Sequence, residues 1–171
     1  FVTFIFFIGA RNINYFNHYY LIENGVDEGM FIDLGGQEQY VLVRGADKSN
    51  PVIIFLHGGP SSPEAYVNYC WVNDVIDDYT VVDWDQRGCG RTYEHNKEID
   101  PNNVTATYEQ ALIDLDELVD YACERFNQDK VIIVGHSYGT VLGANYIEQH
   151  PEKVAQYVAI AQVVSMDINN K

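Results

Sequence analysis

Positively charged residues are scarce in this chain. Its 171 residues include 10 Lys or Arg against 25 Asp or Glu, which gives a net charge of −15. Binding to nucleic acid needs a basic surface, so this balance excludes nucleic acid as a partner. We interpret the acidic excess as a source of solubility rather than as an acidic binding surface.

Cysteine is also scarce, and its spacing is informative. Cys70, Cys89 and Cys123 form an odd, widely separated set, which matches neither a disulfide framework nor a zinc site. We interpret Cys89, in a glycine-flanked turn, as a small packing residue. No cluster of His, Cys and Asp has the spacing of metal ligands, so neither a metal nor another cofactor is expected.

Long hydrophobic runs are missing as well. The strongest run, residues 1–8 (FVTFIFFI), is much shorter than the about 20 residues that cross a bilayer. Because the chain begins at Phe rather than Met, we interpret this run as the remnant of a signal or membrane-anchor segment, with a buried or cloning-derived leader as the alternative. Residues 1–27 are then a leader and linker, and residues 28–171 belong to one domain. The compartment stays open between cytoplasmic and membrane-anchored.

The rest of the chain has the composition and patterning of a folded domain. It is 47% hydrophobic, with 13 Tyr and 8 Phe, which is enough for a core. Strands are predicted at 30–34, 39–44, 52–56, 79–84, 130–134 and 154–164, helices at 64–76, 107–126 and 138–149, and a polar loop at 92–104. The first two strands flank two glycines and predict a hairpin. The later alternation predicts an α/β fold with a mostly parallel sheet and helices on both faces.

One stretch carries the strongest chemical pattern. Val131-Ile-Ile-Val-Gly135-His-Ser137-Tyr-Gly139-Thr140 joins an apolar strand to a helical segment through Gly-x-Ser-x-Gly. Such a nucleophile elbow holds a serine hydroxyl at the tip of a sharp, strained turn above the carboxyl edge of a sheet. The sequence therefore predicts Ser137 as a nucleophile, against the alternative of a plain glycine-rich turn.

A serine that attacks a carbonyl also needs hydrogen-bond donors for the oxyanion that forms. One donor is predicted to be the backbone N–H of Tyr138, immediately after the serine. The other is expected from the turn His57-Gly58-Gly59-Pro60, where missing side chains let the backbone approach a substrate. Since Pro60 has no N–H, Gly58 or Gly59 must donate. The alternative is a turn that serves only strand-to-helix packing.

A second polar turn, Asp85-Gln86-Arg87-Gly88, follows a predicted strand at its carboxyl end, where ligands bind in open α/β sheets. Arg87 has the chemistry to bind a substrate carboxylate. A pairing of Asp85 with Arg87 that braces loops is the interpretation we favour. His57 is likewise expected mainly to hold its own loop.

A base for the serine is missing from the sequence. Only 34 residues follow Ser137, and they contain one histidine, His150, and one aspartate, Asp167, which we keep as a minor candidate for a triad acid. At about 1.5 Å per helical residue, His150 lies roughly 20 Å from Ser137, too far to act. His136 adjoins Ser137, but neighbouring side chains at a sharp turn point in different directions. The triad is therefore predicted to be incomplete, and this chain alone inactive.

Three segments give the chain a family resemblance: His57-Gly-Gly-Pro60, Asp85-Gln-Arg-Gly-Cys-Gly-Arg91 and Gly135-His-Ser-Tyr-Gly139. In this order and spacing they resemble the α/β-hydrolase fold and, within it, the proline iminopeptidase branch of serine peptidases. The resemblance covers about residues 30–165. It implies a serine aminopeptidase that releases an amino-terminal residue, often proline, from short peptides, with Gly59 and Tyr138 as oxyanion donors.

The resemblance also implies that a cap domain, two more strands and the triad Asp and His follow residue 171, which makes this chain an amino-terminal fragment. The sequence departs from the family at Ser61, where glycine is usual, and at His136 and Tyr138, which are more typical of esterases and lactonases. An esterase or amide hydrolase for small acyl substrates is therefore an alternative. A non-catalytic binding module is another, because the base is missing. Epoxide-opening relatives use an aspartate nucleophile, so Ser137 argues against that chemistry.

Overall fold

The computed structural model describes residue 9 and residues 24–164. The predicted leader at residues 1–8 and the candidate acid Asp167 lie outside the described residues. Among the helices that are described, none has both the length and the apolar content that crossing a bilayer requires.

A single six-stranded sheet forms the centre of the described region. Its strands are β1 (Val26–Leu34), β2 (Gln37–Gly45), β3 (Val52–Leu56), β4 (Thr80–Trp84), β5 (Val131–His136) and β6 (Val154–Ile160). Its helices are α1 (Tyr69–Val72), α2 (Gly90–Asn96), α3 (Tyr108–Phe126) and α4 (Tyr138–Gln149). The strand order is β1-β2-β4-β3-β5-β6, with β4, β3, β5 and β6 parallel and the β1–β2 hairpin antiparallel to its neighbour. The predicted α/β class is confirmed.

The hairpin at the start of the sheet follows from its turn residues. Gly35 and Gly36 have φ of 57° and 72°, and two successive positive φ values are what the tight turn of a right-twisted hairpin requires. The predicted hairpin is therefore correct, and its first strand begins at Val26.

Two hydrophobic clusters cover the two faces of the sheet. On one face, α3 and α4 pack on the strands through apolar side chains, which include Leu115, Leu118, Val119, Ala122, Leu142 and Tyr146. On the other face, Val72 and Ile76 cover Ile53, Phe55 and Val81. Burial of each such side chain contributes on the order of 2 kcal/mol, so both layers hold the sheet in place.

The long helix α3 begins and ends as its sequence indicates. The Thr107 hydroxyl accepts a hydrogen bond from the Gln110 N–H at 3.1 Å, and Asn127 closes the helix in a left-handed conformation with φ of 51°. The Gln110 side chain does not complete a capping box. It donates to Asp114 instead, at 2.9 Å.

Two local predictions are wrong. Of the helix expected at residues 64–76, only Tyr69–Val72 is regular helix, and turns make up most of the remainder. The polar loop expected at 92–104 begins with helix α2. This helix is stabilised by tertiary contacts rather than by an apolar face, because Asn96 donates to the Glu38 carbonyl at 2.8 Å and Thr92 donates to the Asp85 carbonyl.

Candidate active site

Ser137 lies at the junction of β5 and α4. Its backbone has φ of 50° and ψ of −116°, a combination that costs a residue with a side chain about 1–3 kcal/mol. The Ser137 N–H donates to the Ile160 carbonyl at 2.9 Å, and the Ser137 carbonyl accepts from the Thr140 N–H at 2.9 Å. These bonds hold the chain in the sharp turn that is typical of a nucleophile elbow.

The glycines of the elbow allow strand and helix to approach each other closely. A Cβ on Gly139 would overlap the Leu56 carbonyl at the end of β3, and a Cβ on Gly135 would lie 2.7 Å from the Gly139 carbonyl oxygen. Because Gly135 and Gly139 lack side chains, the elbow can pack directly against the neighbouring strand.

The glycine turn after β3 lies beside the serine. A Cβ on Gly58 would lie 3.2 Å from the Ser137 Cβ. Gly59 has φ of 122°, and a Cβ there would meet the Ser61 and Ser62 nitrogens at 2.7 and 2.9 Å. Only glycine fits this turn without strain, and the turn brings backbone next to the serine as an oxyanion site requires.

The two backbone N–H groups predicted to bind the oxyanion belong to the glycine turn and to the first residue of α4. Among the described residues, no hydrogen-bond acceptor is found for the backbone N–H of Gly59 or of Tyr138. Tyr138 is the first residue of α4, and the first N–H groups of a helix have no partner within it. The positive end of the helix dipole adds to the attraction for a negative oxygen at this point.

His57 is buried and faces its own loop. Its Nδ1 donates to the Gly58 carbonyl at 2.8 Å, while its Nε2 accepts from the Gln86 N–H at 3.4 Å and contacts the Cys89 sulfur at 3.3 Å. Burial lowers the His57 pKa below its usual value. Burial also raises the pKa of the Cys89 thiol to about 12. A neutral imidazole therefore joins the glycine turn to the turn after β4.

Asp85 is almost completely buried at the end of β4. One carboxylate oxygen accepts from the Arg91 N–H at 2.9 Å, and the other has no partner among the described residues. Burial raises the Asp85 pKa, and the hydrogen bond from Arg91 and its charge oppose that effect. Asp85 orders the turn that leads into α2.

Arg87 contacts Asp114 of α3 rather than Asp85, so the expected pairing within the turn is wrong. Its Nε and Nη2 donate to the two Asp114 oxygens at 2.7 and 2.8 Å. Nη2 also donates to the carbonyls of Leu34 and Gly35 at 2.9 and 3.0 Å. A guanidinium so engaged has little capacity left for a substrate carboxylate.

One contact beside the serine was not predicted from the sequence. His136 Nδ1 lies 2.9 Å from Glu64 Oε1, and the two residues are 72 positions apart in the chain. A Cβ on Gly58 would lie 3.3 Å from the same His136 nitrogen. The pair thus joins the segment after the glycine turn to the last residue of β5.

No base reaches the serine within residues 24–164. No described histidine or carboxylate forms a hydrogen bond with the Ser137 hydroxyl. His95 lies 2.8 Å from Glu38 on the surface, and His150 stacks on Tyr146 at the far end of α4. His57 and His136 have the partners described above. In the same region, no group of three or more His, Cys, Asp or Glu side chains is arranged to hold a metal ion.

A cavity of about 180 Å³ lies under the elbow, on the face of the sheet opposite α4. It is mainly apolar and is lined by Phe55, Glu64, Trp71, Val134, His136 and Ile160. Ser137 does not line the cavity. His136, the residue before the serine, does line it, so the cavity adjoins the elbow.

Comparison with known proteins agrees with this architecture. Residues 51–170 match the model of the alpha/beta hydrolase fold family. A probable aminopeptidase, YbaC, of Bacillus subtilis is 32% identical over 135 residues, which are 78% of this chain and 41% of that protein. A proline iminopeptidase of Lactobacillus acidophilus is 27% identical over 146 residues, or 84% of this chain and 46% of that protein. The chain spans less than half the length of these relatives.

Solved structures show the same fold. The proline iminopeptidase-related protein of Thermus thermophilus superposes with a TM-score of 0.63 and 24% identity, over 78% of this chain and 44% of that protein. A Vigna radiata epoxide hydrolase mutant superposes with a TM-score of 0.56 and 23% identity, over 78% of this chain and 38% of that protein. The chain belongs to the alpha/beta hydrolase fold family, and its relatives include proteins named as aminopeptidases and proline iminopeptidases.

Proposed function

We propose that this chain is the nucleophile-bearing part of a serine hydrolase of the proline iminopeptidase type. The observation that carries the proposal is the strained Ser137 beside the backbone N–H groups of Gly59 and Tyr138, for which residues 24–164 provide no acceptor. Preorganised donors next to a nucleophile stabilise the charge that develops during acyl transfer.

The proposed reaction proceeds through an acyl-enzyme. The Ser137 oxygen attacks the carbonyl carbon of the amino-terminal residue of a short peptide, and a base accepts the hydroxyl proton. The carbonyl oxygen becomes an oxyanion that the Gly59 and Tyr138 N–H groups bind. When the peptide C–N bond breaks, the amine leaves with the proton from the base. Water then attacks the ester, releases the amino acid and restores the serine.

The substrate class in this proposal comes from the relatives, since two of them are named as aminopeptidase and proline iminopeptidase. The site itself offers, among the described residues, no free cation for a substrate carboxylate at the turn after β4. Arg87 is engaged by Asp114 and by backbone carbonyls, so it supports the turn after β4 rather than a substrate.

Labelling with a fluorophosphonate probe tests the nucleophile. The probe is applied to this chain and to the longest protein product that contains it, with Ser137→Ala as the control. We expect labelling of the longer product, its loss in the control, and none of this chain by itself. A longer product that is not labelled would contradict the proposal.

Two alternatives are favoured by specific observations. His136 and Tyr138 around the serine suit an esterase or amide hydrolase, and turnover of a p-nitrophenyl ester without turnover of proline-β-naphthylamide would favour it.

The lack of a base within the described residues suits a non-catalytic module. Binding of peptides by the longest product, without hydrolysis of either substrate, would favour the non-catalytic module.

A further inference from the structure

The cavity beside the elbow has the size of a single ring. Its volume is about 180 Å³, and an apolar cavity of about 150 Å³ in another protein takes up benzene. Of its lining residues, Phe55 and Val134 are 3% and 9% exposed, whereas Ile160 is 47% exposed. The cavity therefore has a buried wall in the sheet and an edge that solvent reaches, so an apolar ring can enter and fit.

Two aromatic side chains form part of this lining. The rings of Phe55 and Trp71 lie 5.1 Å apart between centroids, with an interplanar angle of 44°. Aromatic faces attract apolar rings, and the face of a tryptophan also attracts cations. The lining therefore favours an apolar group, and it tolerates a positive charge next to that group.

The same cavity contains one carboxylate. Glu64 Oε1 lies 2.9 Å from His136 Nδ1, while no partner for Glu64 Oε2 is found among residues 24–164. An ionised carboxylate has about four acceptor positions. Glu64 can therefore accept a hydrogen bond from a ligand and keep its contact with His136.

The charges around this carboxylate favour a cationic ligand. The charges of Glu64 and Asp85 both act on the buried Asp83. Arg44 opposes them, but its guanidinium is paired with Asp27 at 3.2 Å. Within the described part of the chain, no lysine or arginine pairs with Glu64. A positively charged group is therefore attracted to Glu64, and an anion is repelled.

Glu64 lies within reach of a substrate held at the serine. A Cβ on Gly58 would lie 3.2 Å from the Ser137 Cβ and 3.3 Å from His136 Nδ1, so these two atoms are at most 6.5 Å apart. The Glu64 carboxylate contacts the same nitrogen at 2.9 Å. An attack distance of about 3 Å, the two bonds from the carbonyl carbon to the amino nitrogen, and a hydrogen bond of about 2.8 Å span this separation.

We propose that the cavity lined by Phe55, Trp71 and Glu64 binds an ammonium group attached to a ring-sized apolar body, with Glu64 Oε2 as the acceptor, and that the amino-terminal residue of the substrate occupies it. The binding of the ammonium group is independent of the reaction, whereas its use as a substrate subsite rests on the proposed function. Glu64 then determines specificity and takes no part in bond breaking.

Binding is tested with benzylamine, which is an ammonium ion at neutral pH, and with benzyl alcohol, its neutral counterpart of the same size. Each is titrated into the 171-residue chain by calorimetry. We expect a Kd on the order of 1 mM for benzylammonium and binding of the alcohol at least tenfold weaker. Trp84 is fully buried on the other face of the sheet. The ligand should therefore change the fluorescence of Trp71, and Trp71→Phe should remove that change.

Variants separate the charge from the shape of the cavity. Glu64→Gln keeps an acceptor for His136 but removes the charge, so it should weaken benzylammonium binding at least tenfold and leave benzyl alcohol binding unchanged. The matched control is Glu148→Gln, which makes the same charge change on the exposed side of α4 and should not affect binding. Ile160→Trp fills the open edge and should weaken the binding of both ligands. Thermal midpoints verify that each variant is folded.

The use of the cavity as a subsite is tested in the longest protein product that contains the chain. Glu64→Gln should raise KM for proline-β-naphthylamide at least tenfold and leave kcat nearly unchanged. Labelling of Ser137 by a fluorophosphonate should proceed at the same rate in the variant, because the probe has no ammonium group.

Other outcomes overturn the inference or one of its parts. Equal affinity for the amine and the alcohol, no binding of either, or amine binding that Glu64→Gln does not weaken would overturn the binding site. An unchanged KM in a product that is labelled would overturn the substrate subsite. Amine binding as expected, together with a longer product that a fluorophosphonate does not label, would support the binding site and count against the serine hydrolase.

Discussion

The backbone of Ser137 is strained, and hydrogen bonds to neighbouring residues hold it in that conformation. Its positive φ places the side chain at the tip of the turn, while bonds to Ile160 and Thr140 fix the peptide groups on either side. A position shaped only for folding would be occupied best by glycine, which adopts such φ values freely. A serine there indicates that the hydroxyl is kept at some cost in stability.

This cost can be measured. Replacing Ser137 with glycine removes strain of about 1–3 kcal/mol and adds about 0.4–1 kcal/mol of unfolded-state entropy. We expect Ser137→Gly to raise the free energy of unfolding by about 1 kcal/mol, as measured by urea denaturation. Ser137→Ala keeps the strain and should stay close to the parent chain. A glycine variant less stable than the alanine variant would show that the turn is not strained.

Among the elements, the β1–β2 hairpin and helix α3 are joined through one buried polar network. Asp114 of α3 accepts from Arg87, and also from Gln39 of β2 at 2.7 Å. Trp84 at the end of β4 donates to Gln39 at 2.9 Å. A Cβ on Gly35 would overlap atoms of this network, so the hairpin turn needs glycine for space as well as for its φ.

Removal of one charge from this network should be costly. Asp114→Ala leaves the buried Arg87 guanidinium without its carboxylate, and breaking a buried ion pair in this way costs about 3–5 kcal/mol. We expect that loss in the free energy of unfolding from chemical denaturation. The control is Glu94→Ala, which removes the exposed Lys97–Glu94 pair and should cause no measurable change. A loss of under about 1 kcal/mol for Asp114→Ala would mean that water replaces the carboxylate.

The sequence predicts elements whose residues carry a local pattern. The strands β3, β4 and β5 are short apolar runs, and α3 has an apolar stripe with a threonine cap, so these elements were predictable. Helix α2 has no such pattern and depends on bonds from Thr92 and Asn96 to distant backbone.

Local patterns of this kind do not predict side-chain contacts between residues that are distant in the sequence. The contact between His136 and Glu64 spans 72 positions, and the bond between Arg87 and Asp114 spans 27. The motif around Ser137 predicts which residue occupies the turn. It does not predict which charged side chains contact each other, because those contacts depend on how the elements pack.

At the scale of the whole molecule, the two faces of the sheet differ in how they are held. The face under α3 and α4 carries the larger apolar cluster. The other face is covered by a segment, residues 64–79, that has little regular helix and is tied to the sheet partly by polar contacts. One of these is a short hydrogen bond from Asn68 to Asp83 of β4. This layer is therefore attached to the sheet in part through a buried carboxyl group.

Asp83 makes the stability of the molecule depend on pH. It is 1% exposed and one of its oxygens has no partner among the described residues. Burial raises its pKa to about 7, from the usual 3.8, and the nearby Asp85 and Glu64 charges act in the same direction. The folded state therefore binds a proton that the unfolded chain has already released. The contribution of Asp83 to stability is full below pH 3.8 and is lost as the pH rises to about 7.

Asp83→Asn should remove this dependence, because asparagine can still accept the hydrogen bond from Asn68 and does not ionise. Between pH 5 and 7, the free energy of unfolding of the parent chain should fall relative to the variant by about 1.4 kcal/mol per pH unit, and the difference should level off above pH 7. Urea denaturation of both proteins from pH 5 to 8 measures the difference directly. Other carboxyl groups cancel in this comparison because both proteins contain them. Parallel stability curves would show that Asp83 is already ionised at pH 5, so that water or a cation must reach its unpaired oxygen in the folded state.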